Sequence, residues 1–559
     1  MTRQNIYRKY ILLMAAAMAI TSCEPSLDVE PRDRVTDASV WTDPINADLF
    51  LNDIYQQMPR LNNDAKHLDQ YADNSHVGAE WFPAKITLYP GAVNESNMLT
   101  GPSDLWGWDQ RYVMIRRANI FIQNVTSSAS LTDEYKKDRI AEARFLRALS
   151  YQWLWLAYGG VPVIEDVLDI NTQGESIFRS RNSEQETFDF IVQEFAEVAE
   201  DLPLKRTGKD LGRPTKGSAL TLKGWVELYA ASPLRNPDQN LDKWKAAAAT
   251  NRQVMELGVY DLFPDFGKIW LPENNNNIEV IFDYQVSTSK DGGGTREGYF
   301  GPAFVNGVQQ AWANYAPTQE LVDDFAMDNG KVITDPTSGY DAQHPYKNRE
   351  KRFYETIIYD SSVWQGDIML MRVGVGSPNE IDLGGKNDVT NTGYYARKTL
   401  DERVLGQDNL SNNNGGQNYI WFRYAEVLLS YAEAQNEAIG PDQSVYDAVN
   451  GVRLRTDLPE LPTGLSQEQM RIAIHRERRV ELAFEDKRWW DVLRWKIADG
   501  PTGVLNNPTH GMYIEVVNGT LKYTTVKVTD RTFPEKMYLM PIPIQVRNRN
   551  TNLGQNSGY

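Results

Sequence analysis

AEARFLRALSYQWLWLAYGG, residues 141–160, reads as a long helix that is apolar on two faces. Ala143, Leu146, Leu149, Trp153 and Leu156 recur at three- and four-residue steps, and Phe145, Ala148, Tyr151, Trp155 and Tyr158 form a second such stripe. A helix with two apolar stripes is buried between neighbouring helices. Gly159-Gly160 and then Pro162 predict its stop, because glycine relaxes a C-cap and proline cannot continue the ladder. Outward from this stretch, helical patterns recur at Glu184–Leu202, Gly217–Ala231, Leu241–Leu257 and Ile420–Ala438. Ser466-Gln467-Glu468-Gln469 is a capping box that predicts one helix running on through HRERRVELAFEDKRWWDVLRW, with Arg478/Glu481 and Glu485/Arg488 paired at three-residue spacing. Helix pairs of this length with small residues at their crossings predict a mainly α fold on a tetratricopeptide-like scaffold, mainly at 106–260 and 416–500.

Between the helical blocks the composition changes. Residues 59–105 and 272–415 hold Asn274–Asn277, Gly292–Gly294, Asn412–Asn414 and many prolines, with one short alternating strand at Glu279–Val286. Long loops inside a compact domain are binding loops or disorder, and disordered segments are poor in aromatics. These loops contain Trp81, Phe82, Tyr89, Trp106, Trp108, Tyr299, Trp312, Tyr315, Trp364 and Tyr395, so they read as an irregular ligand-binding lobe. Sugars suit such a lobe: their C–H faces stack on aromatic rings while their hydroxyls pair with side chains such as Asp73, Asn97, Asn314 and Arg372.

The chain has 559 residues, with 58 Lys and Arg against 75 Asp and Glu, a net charge of −17. That length calls for a large core or several lobes, and that charge argues against nucleic acid and anionic lipid headgroups as partners. Residues 1–22 carry Arg3, Arg8 and Lys9, then the apolar run Ile11–Ile20, then Ile20-Thr21-Ser22-Cys23. This is a secretory signal pattern whose apolar run is too short to span a bilayer. The stretch 24–37, EPSLDVEPRDRVTD, reads as a charged, extended tether between Cys23 and the body at 38–559.

Catalytic signatures are scarce. The histidines are His67, His76, His344, His475 and His510, and no two stand at the spacing of a helical metal pair. No serine sits in a nucleophile elbow, Cys23 is the only cysteine, and neither Gly292–Gly294 nor Val373–Gly376 completes a phosphate-binding loop. Two carboxylates performing glycoside hydrolysis would leave no fixed local motif, so that chemistry stays open. Arg144, Arg147, Arg423, Glu426 and Glu433 lie within apolar helices, where buried charges must be paired.

Several blocks, in order, resemble the SusD/RagB outer-membrane lipoproteins of Bacteroidetes. They are AEARFLRALSYQWLWLAYGGVPVI, GRPTKGSALTLKGWVELYAA, RYAEVLLSYAEAQNEA, VNGVRLRTDLP, RERRVELAFEDKRWWDVLRW and the ending YLMPIPIQVRNRNTNLGQNSGY. Ile20-Thr21-Ser22-Cys23 likewise resembles a lipobox, which makes Cys23 the lipidated first residue of a mature chain. The resemblance implies a cell-surface, lipid-anchored, non-enzymatic protein on helix-pair scaffolding. It would capture oligosaccharide, or peptide in the RagB branch, and deliver it to a SusC-like TonB-dependent barrel. By position it carries the ligand site to Asp73, Trp81, Trp106, Trp312, Tyr315, Arg372 and Tyr395. It requires no cofactor; some members hold a structural calcium, and no EF-hand loop is present here, so calcium stays open.

Overall fold

A computed structural model describes residues 40–58, 67–78, 82–97, 106–287, 289, 292–384 and 388–559. The signal segment, Cys23, the tether and Trp81 lie outside the described residues. The longer helices are α1 (Pro44–Tyr55), α2 (Trp108–Ser127), α3 (Asp133–Tyr158), α4 (Glu184–Asp201), α5 (Lys216–Ala231), α6 (Leu241–Glu256), α7 (Tyr424–Ile439), α8 (Gln443–Leu454), α9 (Gln467–Glu481) and α10 (Arg488–Arg494). From α1 to α7 each packs on the next, and α8 and α9 both close on α7, which gives a layered helix-pair scaffold. Helix α3 is buried along almost its whole second half, from Phe145 to Tyr158, as its two stripes require. Gly159 then takes φ +74 and ends it.

Local signals set most boundaries. Ser183 caps α4, its Oγ accepting from the Glu186 N–H while the Glu186 carboxylate accepts from the Ser183 N–H at 2.7 Å. Ser466 and Gln469 do the same at the start of α9. Two expectations are corrected. The helix expected to run through Trp495 breaks after Glu481, and Phe484 and Asp486 take left-handed φ of 63° and 62° before α10 begins. The helix expected from Ile420 begins only at Tyr424. Tyr419–Arg423 is instead a strand, β2, antiparallel to β1 (Val280–Tyr284).

The segment from 285 to 415 is built of short helices and two-residue ribbons around an apolar centre of its own. Phe300, Tyr315, Phe325, Phe353, Ile357, Tyr394 and Tyr395 pack there with Val480 of α9 and with Ala483 and Phe484 just beyond its end. The ribbon β3 (Thr509–Val517) and β4 (Thr520–Thr529) contributes Met512 and Ile514 to it. Asn518-Gly519 turns that ribbon with φ of 51° and 79°, the left-handed pair that a two-residue hairpin demands.

Buried ion pairs join lobe to scaffold. Arg423 donates to Glu279, Glu481 and Glu485 at 2.6 Å each, and Arg352 from the lobe reaches Glu477 at 2.6 Å and Glu481 at 2.9 Å. Lys398 adds Glu485 at 2.6 Å. The helical charge pairs read at three-residue spacing are therefore not formed: Arg478 bonds Glu426 and Asp491, and Arg488 bonds Asp73.

Candidate functional site

Asp73 is buried, 6% exposed, with Arg488 Nε at 2.7 Å and Arg479 Nη2 at 3.0 Å. Burial alone would raise its carboxyl, but those two guanidiniums outweigh it and hold the group well below the usual carboxylate range. Tyr315 is enclosed by His67, Phe300 and Phe484, and Trp106 stacks on Tyr71 with centroids 5.0 Å apart and meets Trp489 edge-on. Tyr395 is fully buried, its hydroxyl donating to Asn379 Oδ1 at 2.9 Å. All four of these side chains are enclosed by core partners in the structure, at 6% exposure or less. Arg372 is partly open but is clamped on Asp360, with Nε to Oδ2 at 3.0 Å.

Trp312 differs. It is half-buried and stands edge-on to half-buried Tyr299, ring centroids 4.8 Å apart at 81°. Backbone bonds set the corner: Trp312 N–H donates to Gly298 O and Asn314 N–H to Tyr299 O, both at 3.0 Å. Close approach of the short helices Arg296–Phe300 and Gly406–Asn412 frames it. A Cβ on Gly298 would lie 2.2 Å from Leu410 Cγ, and one on Gly406 would lie 2.2 Å from Gln310 O, so only glycine fits at either place. Near Trp312 in the chain, Gln310 is half-buried and Val308 and Gln309 are exposed. The result is a corner of two half-buried aromatic rings set nearly perpendicular, a geometry suited to stacking a pyranose ring. Tyr299 was visible in the sequence as one more loop aromatic; its pairing with Trp312 comes from the turn at Gly301–Gln310, which carries no periodic signal.

One pair of adjacent carboxylates lies enclosed between lobe and scaffold. Asp69 and Asp486 share a buried centre where Asp486 accepts from Leu68 N–H, His67 and Tyr419 Oη, and both carboxylates are enclosed. Burial, with the Asp486 charge beside it, pushes the Asp69 carboxyl up to about 7. Among the described residues no group of three or more His, Cys, Asp or Glu side chains could hold a metal ion, and no helix is long and apolar enough to cross a membrane.

The architecture is a layered helix-pair scaffold on a helical-repeat frame that carries an irregular lobe. A family model described as the SusD family matches residues 278–559, and another, described as starch-binding and associating with the outer membrane, matches residues 27–226. The chain belongs to the SusD family. It is 27% identical over 484 residues to SusD-like protein P2 of Formosa agariphila, covering 81% of this chain and 80% of that one. A SusD-like protein of Bacteroides fragilis superposes with a TM-score of 0.78 at 29% identity, covering 94% of this chain and 99% of its own. A SusD-like carbohydrate-binding protein of the same organism gives 0.77 at 25% identity, covering 92% and 100%.

Proposed function

We propose that this protein is a non-catalytic, lipid-anchored subunit of the outer-membrane surface that captures oligosaccharide and passes it to a SusC-like TonB-dependent barrel. The observation that carries the reading is the Tyr299–Trp312 corner: two half-buried rings at 81°, where most of the other described lobe aromatics are buried. Membership of a family with a starch-binding description, and likeness to a carbohydrate-binding relative, support it. The enclosure of the Asp69–Asp486 carboxylates supports a silent binder over a glycosidase. The anchor rests on Ile20-Thr21-Ser22-Cys23.

Open stacking sites that must release cargo bind weakly, on the order of micromolar to millimolar. Trp312→Ala should weaken oligosaccharide binding by about 2 kcal/mol, roughly 30-fold, with an unchanged Tm because the ring is only half-buried. Isothermal titration of wild type and variant against a panel of neutral oligosaccharides checks it. A folded variant that binds as wild type removes the corner as the capture site.

A further inference from the structure

Away from the lobe, two cavities of about 350 Å³ and about 270 Å³ adjoin along β1 and share Leu211, Gly212, Arg213 and Asp283. The first lies between the α4–α5 connection and the segment that enters β1. The second continues past Tyr284 to the C-terminal turn of α1. Together they form an open groove whose size falls in the range of small-molecule sites. Its floor is the Asp283 carboxylate, 6% exposed. That group accepts from Asn418 Nδ2 at 2.7 Å and Gln285 Nε2 at 2.5 Å, and among the described residues no Lys or Arg forms an ion pair with it. Burial pushes its carboxyl up to about 6. Such a group is a strong acceptor in want of better donors.

Gln285, the donor above it, is exposed and also donates to Asn276 Oδ1 at 2.7 Å. It lies across Gly212, where a Cβ would stand 2.4 Å from Gln285 Cγ and where φ is +86, so the chain keeps glycine at the point where the amide bridges the groove. The walls alternate apolar and hydroxyl-matching surface. The rings of Tyr260 and Tyr284 and the exposed Leu211 and Ile278 stand beside Asn276, Asn277 and Thr215. The guanidiniums of the groove are neutralised from behind: Arg206 by Asp138 at 2.7 Å and Arg213 by Glu142. Exposed Lys205 and Lys209 stand at its edges, but the buried carboxylate on its floor disfavours an anion there, and a groove with apolar strips, side-chain amides and a hydroxyl acceptor matches a neutral polyol chain better than an apolar peptide.

We propose that this groove is a second carbohydrate-binding site, taking a short neutral oligosaccharide segment whose hydroxyl replaces the Gln285 amide on Asp283. The inference rests on the reading of this protein as a glycan binder and adds a site on the scaffold to the one on the lobe. The test titrates the purified full chain with maltoheptaose, a β-linked glucohexaose and a mannohexaose, and follows backbone hydrogen exchange with and without each sugar. Wild type should show two classes of site, with exchange slowed over 203–215 and 276–285. Leu211→Trp, which fills the groove from an exposed position, and Asp283→Asn should each weaken one class at least ten-fold, and Trp312→Ala should weaken only the other. If both groove variants bind as wild type and those segments gain no protection while Trp312→Ala loses binding, the groove site is overturned and the capture reading stands. If only the groove variants lose binding, the lobe corner fails and the groove stands. If wild type binds none of the three sugars, both fall.

Discussion

Asp283 shows how one side chain couples burial to pH. Its carboxyl titrates at about 6 in the folded chain against an ordinary value near 4, so the native state holds the proton more tightly than the unfolded chain. The stability this brings is complete below about pH 4 and is lost as the pH rises through about 6, leaving the ionised group a cost of up to about 3 kcal/mol near neutrality. Asp283→Asn stays neutral throughout, and exposed Gln285 can flip its amide to meet the new side chain. The variant should melt higher than wild type at pH 7.5, with the gap closing towards pH 4.5; an equal gap at both values would show that ionisation is not its source. Asp73 runs the other way. Its depressed carboxyl stabilises the fold above about pH 4, and that contribution disappears as acid protonates the group. Asp73→Ala leaves Arg488 buried without its partner and should cost about 3–5 kcal/mol in chemical denaturation. Nothing local marked Asp73 as structural, because Arg479 and Arg488 lie more than four hundred residues along the chain.

Helices α4 to α6 were legible to within a residue or so, and α3 from Ala141 to its stop but not over its first eight residues, because apolar stripes and stopping glycines are local signals. Strand β2 was not. All five of its residues are buried, so it shows no alternation and merges with the helical pattern that follows. The break between α9 and α10 was equally hidden, since Leu482, Ala483 and Phe484 continue an acceptable helical text. What bends the chain there is tertiary: Val480, Ala483 and Phe484 are drawn into the lobe core, and Asp486 accepts the Leu68 N–H at 2.6 Å. The connection from α3 to α4 tests how tightly elements constrain one another. A Cβ on Gly160 would stand 2.2 Å from Asn182 O, which is backbone and cannot step aside without moving the start of α4. Gly160→Ala should therefore cost about 1–3 kcal/mol, more than the roughly 1 kcal/mol expected for Ser183→Ala at the adjacent cap. Thermal melts of the two single variants rank them, and a neutral Gly160→Ala would refute the close-packing account.

At the scale of the whole molecule, the aromatic wealth of the loops was read as a binding surface, and it is mostly a second core. Phe300, Tyr315, Phe353, Tyr394 and Tyr395 bury one another, since a lobe of short ribbons lacks the long faces that would otherwise build an interior. Among the described lobe aromatics a few half-buried rings, Tyr299 and Trp312 with Phe304, Tyr340, Tyr354 and Tyr359, remain for solvent, and composition alone cannot separate rings that support from rings that bind. The lobe is held to the scaffold by the enclosed Arg352–Glu477–Glu481–Arg423–Glu485–Lys398 network. A body of this kind captures weakly and gains nothing by capture alone, so the proposed function requires an acceptor within reach. From Cys23 the stretch Glu24–Asp37 at full extension spans no more than about 50 Å, which keeps a lipid-anchored body over its own patch of membrane and raises its effective concentration at a barrel mouth. Cys23→Ala should abolish incorporation of labelled palmitate and release the protein from the outer-membrane fraction. A tag placed after Tyr559 should recover a TonB-dependent barrel from wild-type membranes in mild detergent, and much less of it from the variant. Recovery of the tagged protein alone from cells grown on the captured glycan would leave a free-standing surface binder in place of an uptake subunit.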